Sequence, residues 1–211
     1  MLFVHSFGDM PINSRLASRL GLLAIVATSS LPLCMAAQGT AAVHADLNGA
    51  FVGDWTGQLE YRDYTTNERT FLPTWLKITE SADHRSLLFS YVYDDGPTKT
   101  VRERVSFVLD PAARKATLTD QDETSSKTKT SVWTYHVSGL DDFRKTGRGV
   151  LVLTGEGEDN DKAAEVRITI TLGRNLYTAR KEVREKGSVD DKEYQFRDGY
   201  LFTRAQAPAA P

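Results

Sequence analysis

Apolar and polar residues alternate along most of the chain that follows residue 45. In the first such segment, 51–61, odd-numbered positions carry apolar residues or glycine, and most even-numbered positions are polar. A period of two is typical of a β-strand with one buried face. Later segments repeat the pattern, with apolar faces marked in chain order by Leu72, Leu76 and Ile78; Leu87, Phe89, Tyr91 and Tyr93; Val101, Val105, Phe107 and Leu109; Leu118; Trp133, Tyr135 and Val137; Gly149, Leu151 and Leu153; and Val166, Ile168, Ile170 and Leu172. With the charged segments 176–186 and 193–204, the pattern predicts about ten strands.

Short clusters of turn-forming residues separate these segments, as at 94–97, 158–161 and 173–175. Short loops join antiparallel neighbours, and closing such a sheet buries one face and removes its edges. We therefore predict an all-β domain over 46–205, an antiparallel up-and-down barrel of about ten strands, with a disordered tail at 206–211. A two-sheet sandwich is the alternative. Helix formers at 177–186 also allow a short helix, but we expect a strand, because a turn and an aromatic strand follow at hairpin distance.

Residues 1–45 have the character of an export signal. Arg15 and Arg19 precede the apolar run 20–33, and Val43 and Ala45 place small residues where signal peptidase requires them. A cleavable signal peptide is predicted, which makes the mature protein periplasmic or secreted. Cleavage after Ala36 and a start at Met10 are alternatives.

Two membrane-anchored alternatives are disfavoured. The apolar run is shorter than the roughly 18–20 residues needed to span a bilayer, and Pro32 interrupts it, so no stable membrane span is expected. Leu33 stands before Cys34, where lipidation requires a small residue, so Cys34 is not expected to carry lipid.

Composition narrows the chemistry of the mature chain. The single cysteine of the full sequence, Cys34, lies in the predicted leader, so the mature chain is expected to have no disulfide, no thiolate nucleophile and no cysteine ligand for a metal. The chain has 26 Lys and Arg and 28 Asp and Glu, with both signs interspersed. This is not the footprint of a nucleic-acid-binding protein.

The two ends of the mature chain resemble those of the lipocalin-like (calycin) barrels. The sequence Gly-Asp-Trp-Thr-Gly at 53–57 resembles their opening strand, and Tyr-Leu-Phe-Thr-Arg at 200–204 resembles their last strand. The resemblance implies a barrel of about eight to ten strands whose interior holds a small, often apolar ligand. It also implies a structural closure in which Gly53 precedes Trp55 and Arg204 packs over the indole. Haem-binding barrels with a similar start use a histidine near the C-terminus, and no histidine follows His136, so haem is not expected.

Catalytic and metal-binding patterns are weak. Only His84 and His136 remain after the leader, and there is no nucleophile elbow of the hydrolase type. His84 falls in a turn, and His136 faces outward if Trp133 faces inward. The acidic clusters 120–123 and 156–161 lack the spacing of calcium loops, so no metal and no cofactor is predicted. An enzyme is disfavoured, although carboxylate or tyrosine chemistry stays open.

The inward-facing aromatic residues are the candidate ligand-binding set. They are Trp55, Tyr61, Phe89, Tyr91, Tyr93, Trp133 and Tyr135. We predict an exported barrel that binds a hydrophobic or amphipathic small molecule. The alternative is a structural or interaction protein of the cell envelope with a packed interior and no ligand. Arg197 is expected to be exposed, and a buried Arg180 that binds a ligand carboxylate is disfavoured by the cost of burying its charge. The sequence indicates no oligomeric state.

Overall fold

A computed structural model describes residues 47–122, 129–160, 162–187 and 193–205. The predicted leader at 1–45 and the predicted tail at 206–211 lie outside them. The described elements are β1 (Gly53–Arg62), β2 (Arg69–Glu80), β3 (Leu87–Asp94), β4 (Thr100–Asp110), β5 (Lys115–Asp122), β6 (Lys129–Ser138), α1 (Leu140–Thr146), β7 (Gly149–Asp159), β8 (Lys162–Leu172), β9 (Leu176–Glu185) and β10 (Gln195–Arg204).

The ten strands form one closed barrel. Each strand pairs antiparallel with its neighbour in sequence, and β1 closes the ring by pairing with β10. The predicted all-β, up-and-down, ten-stranded architecture is therefore confirmed, and the sandwich alternative is wrong. The segment rich in helix formers is strand β9, as expected.

The alternation along the strands sorts side chains between the barrel interior and its outer face. On β3 every odd position from Leu87 to Tyr93 is buried, and β8 buries every even position from Ala164 to Leu172. Because the side-chain period of a strand is two, one register places a whole apolar set inside. The core consequently fills the barrel interior.

One end of the barrel is closed by its own chain. We call this end, where β1 begins and β10 ends, the floor, and the opposite end the mouth. Phe51 lies at the centre of the floor, stacked on Phe143 of α1 at 5.8 Å between ring centroids and edge-on to Tyr177 of β9. Helix α1 runs between Gly139 and Gly147, both with positive φ, and buries Leu140 and Phe143.

The seam between β6 and β7 is the weakest in the barrel wall. It joins three residue pairs, from His136–Thr154 to Ser138–Val152. Every other seam joins seven or more. Towards the mouth no further ladder pairs join the described residues of β6 and β7, and we call this unpaired stretch of the wall the notch.

Candidate ligand-binding interior

Arg204 ties the last strand to the floor. It is the direct cross-strand partner of Trp55, and its guanidinium lies over the indole with Cζ 4.2 Å from the ring centroid. Its three guanidinium nitrogens donate to main-chain carbonyls of Arg174 (3.1 Å), Val52 (2.8 Å) and Ala50 (3.3 Å). The indole Nε1 in turn donates to the carbonyl of Phe51 at 3.1 Å. One cation–π contact and these bonds fix the N-terminal segment against the end of the barrel.

The glycines of the opening strand make room for this arrangement. Gly53 has φ of +144°, which L-residues rarely adopt, and a Cβ there would collide with the Arg204 guanidinium. A Cβ at Gly57 would collide with the carbonyl of Leu201 on β10. Glycine at both positions lets β1 and β10 approach closely.

The lower half of the interior, next to the floor, is packed and apolar. Phe89, Phe107, Tyr177 and Phe202 are buried there with ring centroids about 6 Å apart. The space left between the inward side chains is a cavity of about 30 Å³, lined by Leu118, Ile168 and their apolar neighbours. That volume is enough for about one water molecule.

The upper half, next to the mouth, is lined by tyrosines and charged residues. Tyr91 stacks between Tyr93 and Tyr200, at centroid distances of 5.9 and 5.1 Å. The Tyr93 hydroxyl donates to Glu103 Oε2 at 2.6 Å, and the Tyr200 hydroxyl lies 2.8 Å from it. Because the Tyr93 hydroxyl has one proton and donates it to Glu103, the hydroxyl of Tyr200 must be the donor in its hydrogen bond with Tyr93. Burial raises the pKa of these three tyrosines well above their usual range.

Asp198 is the most buried of the described charged residues in the interior. Its side chain is on the inner face of β10, two residues from Tyr200, and the residue is 4% exposed. Lys181 on β9 and Tyr61 on β1 are its cross-strand partners. Burial raises the pKa of Asp198 to about 6, against the opposing effect of the Lys181 charge. Its Oδ1 is buried and accepts no hydrogen bond from the described residues.

The seven aromatic residues of the predicted ligand set spread along the whole interior. Trp55 lies at the floor and Phe89 in the lower half, whereas Tyr91, Tyr93 and Tyr135 are buried further up. Tyr61 and Trp133 are partly buried and pack against the core. The interior brings together Tyr91 and Tyr93, but Trp55 and Tyr61 lie at opposite ends of β1.

Tyr135 occupies the wall beside the notch. A Cβ at Gly155 would press on its ring and on the carbonyl of Thr134, so this glycine lets β7 lie close to the tyrosine. A Cβ at Gly157 would instead collide with the side chain of Val166. Burial, and to a lesser extent the charge of Asp198, raises the pKa of Tyr135 above its usual range.

Four charged residues of the interior were missed in the sequence. Glu103, Asp120, Lys181 and Asp198 all have the inward parity of their strands, and the last three are buried. The available signal was their position: Glu103 stands between Val101 and Val105, on a face that is otherwise apolar.

The expectation that Arg197 is exposed is wrong. A β-bulge between Phe196 and Asp198 interrupts the alternation of β10. Arg197 turns to Asp159 instead, with Nη2 2.6 Å from Oδ2, and lies over the ring of Tyr64 at 4.9 Å. Tyr64 donates to the same carboxylate at 2.9 Å, so the three residues form a cluster at the mouth that joins the β1–β2 loop to the tip of β7.

The other charged residues of β9 and the histidines lie outside the interior. Arg180 is exposed, pairs with Glu182 at 3.0 Å and stacks on Phe196, so it is not a buried clamp. His136 is exposed, as expected, and His84 contacts Glu80 at 2.8 Å at an exposed turn. Within the described ranges, no three His, Cys, Asp or Glu side chains are placed to hold a metal ion together. No helix among the described residues is long and apolar enough to cross a membrane.

Comparison with known proteins assigns no family to the chain. No protein-family model matches the sequence, and no curated protein matches it significantly.

Proposed function

We propose that this protein is an exported, lipocalin-like barrel that binds a small amphipathic molecule in its interior. The observation that carries the proposal is the asymmetry of that interior: a sealed apolar floor below, and buried tyrosines and carboxylates above. Such a gradient matches a ligand with an apolar body and a polar head. The opening and closing motifs, 53–57 and 200–204, and the leader-like segment 1–45 support the lipocalin-like and exported parts of the proposal.

The packing constrains where the ligand binds. The cavity of the lower half holds about one water, so the body of a ligand cannot lie there unless rings rotate. We therefore place the site in the upper half, between the stacked tyrosines Tyr91, Tyr93 and Tyr200 on one side and Tyr135 on the other. We propose that a ligand reaches it at the notch, where the ladder pairing between β6 and β7 stops.

A neutral fluorescent probe tests the proposal. We expect Prodan or Nile red to bind with a stoichiometry near one and to quench tryptophan emission, because an enclosed site lies within reach of Trp133 and Trp55. Ala164→Phe fills the upper interior and should abolish binding, whereas Ala163→Phe, its exposed neighbour on β8, should not. Circular dichroism verifies that both variants fold.

The outcome that contradicts the proposal is absence of binding across probes of several sizes, or equal binding by both alanine variants. Native mass spectrometry of protein purified from its source then asks the same question without a probe, since a bound natural ligand adds a discrete mass. Intact mass also tests export: the exported form is expected to begin near Asp46 and to carry no lipid.

A second candidate function is interaction through the outer face. Phe71 and Trp75 on β2 and Leu201 on β10 are each about half exposed and flank β1 on the outside of the barrel. Contiguous exposed apolar residues often mark contact surfaces, and the small interior cavity fits a packed barrel. Failure of every probe to bind would favour this candidate.

A further inference from the structure

The interior of the upper half carries an excess of negative charge. Among the described strands, Glu103 on β4, Asp120 on β5 and Asp198 on β10 face inward there, and Lys181 on β9 is the ammonium that opposes them. Asp198 is 4% exposed and Lys181 is 7% exposed, so solvent does little to screen either charge. Burying a carboxylate is unfavourable unless it is paired and hydrogen-bonded, so a positive partner for the buried carboxylate of Asp198 would stabilise this site.

Two of these acids, Asp198 and Glu103, each have one carboxylate oxygen that no described donor reaches. Asp198 Oδ1 and Glu103 Oε1 are buried and accept no hydrogen bond within the described part of the chain. Glu103 already uses its other oxygen to accept from Tyr93. Glu103 contacts the Tyr93 hydroxyl, which contacts that of Tyr200, and Asp198 lies two residues from Tyr200 on the same face of β10, so both carboxylates adjoin the same group of tyrosines. A buried acceptor without a donor is costly and is normally satisfied by protein, water or ligand.

Tyrosine hydroxyls adjoin the same carboxylates. The Tyr93 hydroxyl donates to Glu103 and the Tyr200 hydroxyl contacts that of Tyr93, while both rings stack on Tyr91. Tyr61 is the cross-strand neighbour of Asp198. A cation with N–H donors bonds carboxylate oxygens directly, and its carbon atoms can pack among aromatic side chains, so this lining favours an organic cation. A metal ion is a poorer match, because no three acidic or histidine side chains among the described residues converge on one point.

We propose that the ligand of this barrel carries an amine, a primary ammonium or guanidinium group whose N–H donors bind Glu103 and Asp198. This inference rests on the proposed interior-binding function and names the ligand class. The cation replaces the missing donors on Asp198 Oδ1 and Glu103 Oε1, and the tyrosine rings contact the carbon atoms next to the nitrogen. The apolar part of the ligand extends along the wall formed by Tyr91 and Tyr135.

Isothermal titration with three probes of equal chain length tests this assignment. The probes are n-octylamine, 1-octanol and octanoate, each added to the purified protein. We expect octylamine to bind at least about tenfold more tightly than octanol, and octanoate to bind most weakly. Asp198→Asn and Glu103→Gln should each remove most of the preference for the amine and leave octanol binding unchanged. Glu158→Gln, on the exposed side of β7, is the matched control and should keep the preference.

The outcomes separate the two proposals. If octanol or octanoate binds as well as octylamine, the amine assignment is wrong and interior binding stands. The amine assignment also fails if Asp198→Asn and Glu103→Gln both keep the full preference. If none of the three probes nor Prodan binds, the proposed function itself is wrong. Octanol binding by the two variants reports that their interiors remain folded.

Discussion

Replacing Arg204 should open the floor of the barrel. Arg204→Ala removes a cation–π contact with Trp55 and three bonds to main-chain carbonyls at 2.8–3.3 Å. A cation–π contact contributes about 0.5–2 kcal/mol, and each carbonyl that loses a charged donor costs about 1 kcal/mol or more where water cannot replace it. Two of the carbonyls, those of Val52 and Ala50, belong to the segment that positions Phe51. We therefore expect a loss of about 2–4 kcal/mol, which corresponds to a fall in Tm of roughly 5–12 °C for a domain of this size.

The chemistry of the guanidinium can be separated from its charge. Arg204→Lys keeps one positive charge but cannot donate to three carbonyls or stack flat on the indole, so it should recover less than half of the loss. Arg174→Ala is the matched control: its side chain is exposed at the same end, and only its main-chain carbonyl contacts Arg204. That variant should melt within about 2 °C of the wild type. Gly53→Ala should resemble Arg204→Ala, because a Cβ there displaces the guanidinium.

Thermal unfolding followed by circular dichroism and by tryptophan emission provides the measurement. Trp55 emission should shift to the red in Arg204→Ala, because the indole loses its cover. If Arg204→Ala melts no lower than Arg174→Ala, or if Arg204→Lys is as stable as the wild type, the Arg204 guanidinium does not hold the floor closed.

Two further predictions concern the mouth. Asp198 has a pKa of about 6 in the folded protein and an ordinary value of 3.8 when unfolded, so the folded state binds its proton more tightly. Stability from this group is therefore present at low pH and is lost as pH rises from about 4 to 6, a change of about 3 kcal/mol. Asp198→Asn should remove that loss and be more stable than wild type at pH 7 in denaturant unfolding; equal pH profiles would contradict this. Arg197→Ala and Asp159→Asn should each destabilise, and their double-mutant cycle should give a coupling of about 1–2 kcal/mol, since the pair is only partly exposed. Additive effects would mean that the ion pair contributes nothing.

The fold could be predicted because alternation acts on whole strands. A set such as Leu87, Phe89, Tyr91 and Tyr93 has only one way to avoid water, and ten such sets joined by short loops leave few topologies. The Arg204–Trp55 contact follows from the same logic, because parity together with closure of the ring makes the two residues neighbours.

The alternation of apolar and polar residues does not predict two local features of the fold, and each has a physical reason. The bulge at Arg197 adds one residue to β10, and nothing in the alternation marks it, so every facing assignment on its N-terminal side shifts. Helix α1 spans 7 residues, too few for a 3.6-residue period to emerge, although Gly139 and Gly147 bracket it and acidic residues precede basic ones.

The charged interior is the feature that sequence reasoning is least able to find. The apolar residues of a segment indicate which of its faces is buried, but nothing in the alternation shows that a charged residue of the same parity is buried with them. Yet Asp198 shares its face with Tyr200 and Phe202, and Glu103 shares its face with Val105. Burying these carboxylates opposes folding, so the packing of the rest of the core must offset the cost. A charged residue on the apolar face of a strand therefore lowers the stability of the fold. In this barrel such residues lie together in the upper half of the interior, where the ligand is proposed to bind.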